Sequence, residues 1–126
     1  MITSLHPVAL AVTMDVIRTY AVLTDDFNPI HVDPAFAATT PMGGCIAHGT
    51  LSIALLWQSL FRTLGDNAAG RVDLDVRFVK PVYAGDTLHA GGELLPGGSW
   101  AVWVRGGDAM DRITGTARLA PSKELA

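Results

Sequence analysis

Residues 49–64, GTLSIALLWQSLFRTL, decide how this chain folds. Leu51, Ile53, Ala54, Leu55, Leu56, Trp57, Leu60, Phe61 and Leu64 recur at helical spacing and cover most of the circumference. At 1.5 Å per residue such a helix is ~24 Å long. A helix apolar on nearly every side is wrapped by other structure rather than laid on a surface. Gly65-Asp66-Asn67 marks its end.

Downstream the hydrophobic period changes to two. Residues 71–79, 86–95, 99–106 and 111–120 alternate or run apolar between the turn signals Pro81, Gly85-Asp86, Pro96-Gly97-Gly98 and Gly106-Gly107-Asp108. Four strands with short connections predict an antiparallel meander. Upstream, residues 5–12 predict one more strand, placed at an edge by Pro7. Thr13 is then the N-cap of a helix to about Leu23, with Val16, Ile17, Tyr20 and Leu23 on one face. One buried helix, preceded by one strand and followed by four, predicts an α+β domain whose sheet curls around the helix.

The chain has 126 residues, enough for one domain with a real core but not for two. Apolar residues supply 49% and charged residues 17%, rich enough to predict apolar surface buried against another copy. A net charge of −3 offers no basic stripe for nucleic acid. Cys45 is the single cysteine, which excludes an intrachain disulfide and a thiolate zinc site. No apolar run reaches the ~20 residues of a membrane span, because Gln58 and Arg62 interrupt the longest one. The N-terminus has neither a basic lead nor a small-residue cleavage site, so the expectation is a soluble cytoplasmic domain. The final PSKELA is expected to fray.

Chemistry concentrates between Asp25 and Gly49, where Asp25, Asp26, Asn28, His31, Asp33 and His48 fall within one short segment. Pro29 disfavours helix at Asn28, so an irregular turn is expected from Asp26 to His31. Asp33-Pro34 reads as a cap and first helical residue for a short helix over 34–39, and Pro41-Met42-Gly43-Gly44 closes it. On residue types alone two readings stay open. A carboxylate and an imidazole can share the acid and base roles of one reaction, or the same groups can simply bond their own backbone in an Asx-Pro turn. His31-x-Asp33 with His48 as a metal site, and Cys45 as a nucleophile beside His48, are weaker alternatives, since Asp33 is better explained as a cap and a lone cysteine as a core residue.

DFNPIHVD at residues 26–33, with IAHG at 46–49 opening the apolar helix, resembles the signature of the MaoC-like (R)-specific enoyl-CoA hydratases and dehydratases. FVKPVYAGDTL at 78–88 is similar to the strand and turn that follow the helix in those proteins. The resemblance implies a single hot-dog domain over residues 1–126, an antiparallel sheet around a central helix. It implies that Asp26 and His31 are catalytic, activating one water for addition to a trans-2-enoyl thioester. It further implies that the Gly49 backbone N–H polarises the thioester carbonyl, with Asn28 and His48 supporting the loop or pocket. The substrate is then an acyl thioester of coenzyme A or of an acyl carrier, with no cofactor and no metal; separately, the edge strands and the high apolar content predict a homodimer or higher homo-oligomer. A hot-dog thioesterase and a non-catalytic acyl-thioester-binding subunit are the alternatives.

Three expectations accompany that family reading. Apolar cover over Asp26 would make its carboxylate a better base. Asp25 stands where many relatives carry glycine or another small or polar residue, and is expected to face solvent. The brevity of the chain and the bulk of Trp57, placed to floor an acyl tunnel, predict a short substrate.

Overall fold

The computed structural model describes residues 1–68 and 70–121; five of the six residues expected to fray lie outside them. Strand β1 is Val8–Ala11, and helix α1, Met14–Thr24, follows with Thr13 as its cap, the Thr13 hydroxyl accepting from the Val16 N–H at 3.1 Å. Two short helices, α2 (Pro29–Val32) and α3 (Pro34–Ala38), lead to α4 (Gly49–Leu64). Strands β2 (Val72–Phe78), β3 (Thr87–Leu94), β4 (Trp100–Arg105) and β5 (Asp111–Leu119) complete the domain.

All five strands form one antiparallel sheet in the order β1-β3-β4-β5-β2. Helix α4 lies in its hollow, packed on β1, β3 and β4. This is the hot-dog arrangement. The expected four-strand meander holds only for β3, β4 and β5. Strand β2 pairs with β5, in register Phe78↔Ile113 to Val72↔Leu119, so the chain crosses from one side of the sheet to the other between β2 and β3. The reason is the wrapped helix: closing around α4 places the first strand after it at the far edge, opposite β1. Strand β1 is shorter than expected, because the segment around Pro7 leaves the ladder and Leu5 is tied separately, its N–H donating to the Gly92 carbonyl at 2.9 Å.

The core is a single cluster. Leu55, Leu56 and Leu60 of α4 meet Ile17 of α1, Leu88 and Ala90 of β3, Val102 and Val104 of β4 and Ile113 of β5. Burial on α4 is one-sided, since Phe61 is 39% exposed and Trp57 half-buried. On α1 the buried residues are Ile17 and Ala21, whereas Leu23, expected on the inner face, is 77% exposed. Among the described residues no helix is long and apolar enough to cross a membrane.

Candidate functional site

Three local devices aim the Asp26–Gly49 segment. Helix α1 ends with Asp25 in the left-handed conformation, φ 53° and ψ 39°. The Asp26 N–H then reaches back to the Ala21 carbonyl at 3.0 Å and the Asp25 N–H to Val22 at 3.4 Å, the paired bonds of a Schellman ending. Glycine fits such a position best and aspartate tolerates it, which accounts for Asp25 there; its side chain is exposed, as expected.

Asn28 supplies the second device. Its side-chain oxygen accepts from the Ile30 N–H at 3.1 Å, capping α2, with Pro29 at the first helical position. The stretch expected to be an irregular turn therefore ends in one helical turn that carries His31. The proline that excludes helix at Asn28 favours a helix starting just after it. Asp33 then caps α3, its carboxylate accepting from the Phe36 N–H at 3.1 Å, so it takes no part in the site.

His48 is the third. It is 3% exposed at the foot of α4, and its Nε2 lies 2.9 Å from the Asp26 carbonyl oxygen. Its ring stacks on that of His31 at 3.9 Å between centroids, and Tyr20 meets it edge-on at 5.1 Å. The Tyr20 hydroxyl in turn donates to Thr50 at 2.8 Å, fixing this wall to the first turn of α4.

Hydrogen bonding sets the tautomers. His31 Nδ1 sits 2.7 Å from the Ile46 carbonyl oxygen, which can only accept, so Nδ1 carries the proton and the neutral ring keeps a lone pair on Nε2. By the same argument His48 is protonated on Nε2, which leaves its buried Nδ1 without a partner. One carboxylate oxygen of Asp26 and one ring nitrogen each of His31 and His48 lie within 4.8 Å of one another. The Asp26 carboxylate also accepts from the Asn28 N–H at 3.2 Å.

His31 and Gly49 line one cavity of about 380 Å³, together with Ile46, Ser52, Phe78 and Ile113. Gly49 opens α4, so its N–H has no acceptor inside the helix, and the His48 side chain does not cap it. The helix dipole adds partial positive charge there. A bound carbonyl oxygen at that point would meet a fixed donor. A Cβ on Gly49 would come within 2.9 Å of the Phe78 ring, so the ring already occupies the space beside the glycine.

Two expectations fail in the single chain. Asp26 is exposed rather than covered. Trp57 does not floor this cavity: it stacks on Phe61 at 5.5 Å and borders a separate depression with Ala54, Gln58, Gly70 and Val72. Cys45 is buried at 7% exposure, and among the described residues its thiol has no hydrogen-bond or ionic partner. The Asp26, His31 and His48 trio is close enough to hold a metal ion, although each imidazole commits one nitrogen to a backbone carbonyl and keeps only the other for a ligand bond. Ser52 and Arg112, both buried in the cavity wall, were not singled out from the sequence; a serine inside an apolar helical stripe was the signal available for the first.

The chain is 38% identical over 74 residues to the (R)-specific enoyl-CoA hydratase of Aeromonas caviae, a match covering 59% of this chain and 55% of that protein, so it spans about half that relative's length. The solved structure of that (R)-hydratase superposes with a TM-score of 0.77 at 28% identity, covering 93% of each chain. The unliganded R-hydratase PhaJ1 of Pseudomonas aeruginosa superposes with a TM-score of 0.80 at 27% identity, covering 98% of this chain and 83% of that one. A family profile described as "MaoC like domain" matches residues 3–100, most of the length, and the chain belongs to that family.

Proposed function

We propose that this protein hydrates trans-2-enoyl thioesters reversibly to (R)-3-hydroxyacyl thioesters. One observation carries the reading: His31, its Nδ1 held by a backbone carbonyl, and an unpaired helix-terminal N–H line the same cavity, and an Asp26 carboxylate oxygen lies within 4.8 Å of a His31 ring nitrogen. The relatives named as (R)-specific hydratases support the same reaction class.

In the proposed reaction the thioester carbonyl accepts from the Gly49 N–H, which stabilises the enolate charge that develops as C3 is attacked. Asp26 and His31 hold one water between them. Its oxygen bonds to C3, one proton passes to the side chain that activates it, and C2 is protonated to complete the addition. Asn28 and His48 keep the Asp26 loop and the His31 ring in place.

The thioester is one of coenzyme A or of an acyl carrier, and the working unit is a homodimer. What supports the dimer is strand β2, an edge whose outer side is unpaired among the described residues, with the exposed Phe78 (58%) on it and Phe61 (39%) exposed on α4. A monomeric mass by light scattering at micromolar concentration would refute that assembly. The activity is tested with crotonyl-CoA, following loss of enoyl absorbance while a disulfide reagent reports free thiol. Hydration without thiol release is expected; thiol release instead would make the protein a thioesterase. Asp26→Asn and His31→Ala should each lower kcat by ~10²–10⁴-fold while thioester binding persists. Hydration unchanged in both variants would remove the pair from the mechanism.

A further inference from the structure

The cavity beside Gly49 is not a plain hydrocarbon slot. Ser52 lies one turn along α4 from Gly49, is 2% exposed and lines the cavity. Its hydroxyl has no hydrogen-bond partner among the described residues and is not fully enclosed, so it opens onto the cavity. Arg112, 4% exposed, lines the same cavity from β5. Its terminal nitrogens are taken, Nη1 donating to the Met110 carbonyl at 2.9 Å and to Asp108 at 3.1 Å, with Nη2 3.6 Å from Asp86. Its Nε is buried without an acceptor. That Nε is fully enclosed and out of a ligand's reach, and the nearby carboxylates offset the guanidinium charge, so the wall presents the Ser52 hydroxyl without a free positive charge.

Leaving a buried hydroxyl or N–H unpaired costs about 1–3 kcal/mol. A purely apolar acyl chain packed against Ser52 would strip water from the hydroxyl and impose that cost, whereas a chain bearing an acceptor oxygen would avoid it. Ser52 lies three residues, about 4.5 Å of axial rise, beyond Gly49, and that is on the order of the reach from a carbonyl held at Gly49 to the fourth or fifth carbon of an extended chain. Resting on the hydratase reading, we propose that Ser52 is a specificity-determining residue, selecting acyl thioesters that carry a hydrogen-bond acceptor oxygen at C4 or C5.

The test compares two probes of nearly equal shape, 4-oxopentanoyl-CoA and 4-methylpentanoyl-CoA, by calorimetry, for wild type and Ser52→Ala. Neither has a 2,3 double bond, so the readout is binding alone. Wild type is expected to bind the oxo compound about tenfold more tightly, and Ser52→Ala to lose most of that preference by gaining affinity for the methyl compound. Equal affinities in wild type, or a preference intact in Ser52→Ala, would overturn the proposal. Crotonyl-CoA hydration measured alongside separates the failures: turnover with no oxo preference sinks the Ser52 assignment only, and absence of both thioester binding and turnover sinks the hydratase reading with it.

Discussion

The imidazole of His48 donates from Nε2 to the backbone carbonyl of Asp26 at 2.9 Å, which ties the foot of the central helix to the loop carrying the reactive carboxylate. With the Asp26 N–H held by the Ala21 carbonyl at 3.0 Å, both backbone polar groups of that aspartate are fixed by residues distant from each other in sequence. His48 also forms one face of the stack that orients His31. It is thus a positioning residue. A neutral hydrogen bond contributes ~0.5–1.5 kcal/mol, so His48→Ala should lower kcat by about tenfold, well short of the loss expected for Asp26→Asn. His48→Gln, which keeps a donor, should recover part of it. Equal losses in His48→Ala and Asp26→Asn would mean that His48 takes part in proton transfer itself.

Gly49 and Phe78 form a second testable pair. An alanine at 49 would place its Cβ 2.9 Å from the Phe78 ring, closer than atoms pack, but the ring belongs to a residue 58% exposed and can swing aside. Gly49→Ala should therefore fold, with a stability loss that depends on Phe78. In a double-mutant cycle the loss should be smaller in a Phe78→Ala background, with a coupling of about 1 kcal/mol measured by urea denaturation. Turnover should remain impaired in the double variant, because the added methyl still crowds the approach to the Gly49 N–H. Additive stabilities would show that the ring does not bear on Gly49.

Much of this architecture was legible from residue types. Helix α4 begins and ends where the run from Gly49 to Leu64 predicts, because its flanks, His48 and Gly65, break the helix on local grounds; Gly65 has φ +79°. The caps Thr13 and Asp33 were readable for the same reason, each being a side-chain bond to a backbone N–H three residues away. The placement of β2 beside β5 was not, since a period of two gives strand and face but not neighbour. Nor was the link between His48 and Asp26, which spans 22 residues and exists only after α1 and α4 have packed. Asp26 and His31 stand out by the motif, whereas for Ser52 the only signal is a serine inside an apolar helical stripe, which marks the position but does not tell a core site from a cavity wall.

Acid should weaken the wall that carries Arg112. The Asp108 carboxyl is held below its ordinary value of 3.8, first by its hydrogen bonds to the Arg112 guanidinium and next by the Met110 backbone N–H. A lowered folded-state value means that stability is present above the unfolded value and is lost as pH falls through the folded one. The Asp108 contribution is therefore intact at neutral pH and disappears below about pH 4. Asp108→Asn should reduce stability at pH 7 and flatten its fall between pH 5 and 3, read from denaturation midpoints. An unchanged acid slope would show that Asp108 does not carry that dependence.

Cavity size sets the last expectation. At about 380 Å³ the space beside Gly49 lies near the lower end for small-molecule sites. It is walled by Ile113 of β5, fully buried, and by Ser52 of α4, so a growing acyl chain meets packed core rather than an opening along that wall. Core side chains yield only at a cost of ~1–3 kcal/mol when overfilled. kcat/KM should therefore be highest for C4–C6 enoyl thioesters and fall for C10–C16. Ile113→Ala should shift the optimum toward longer chains while lowering stability by ~2–5 kcal/mol. A wild-type profile that rises toward C10–C16 would mean that the acyl chain leaves by a different face of α4, where the depression beside Trp57 and Phe61 is the alternative route.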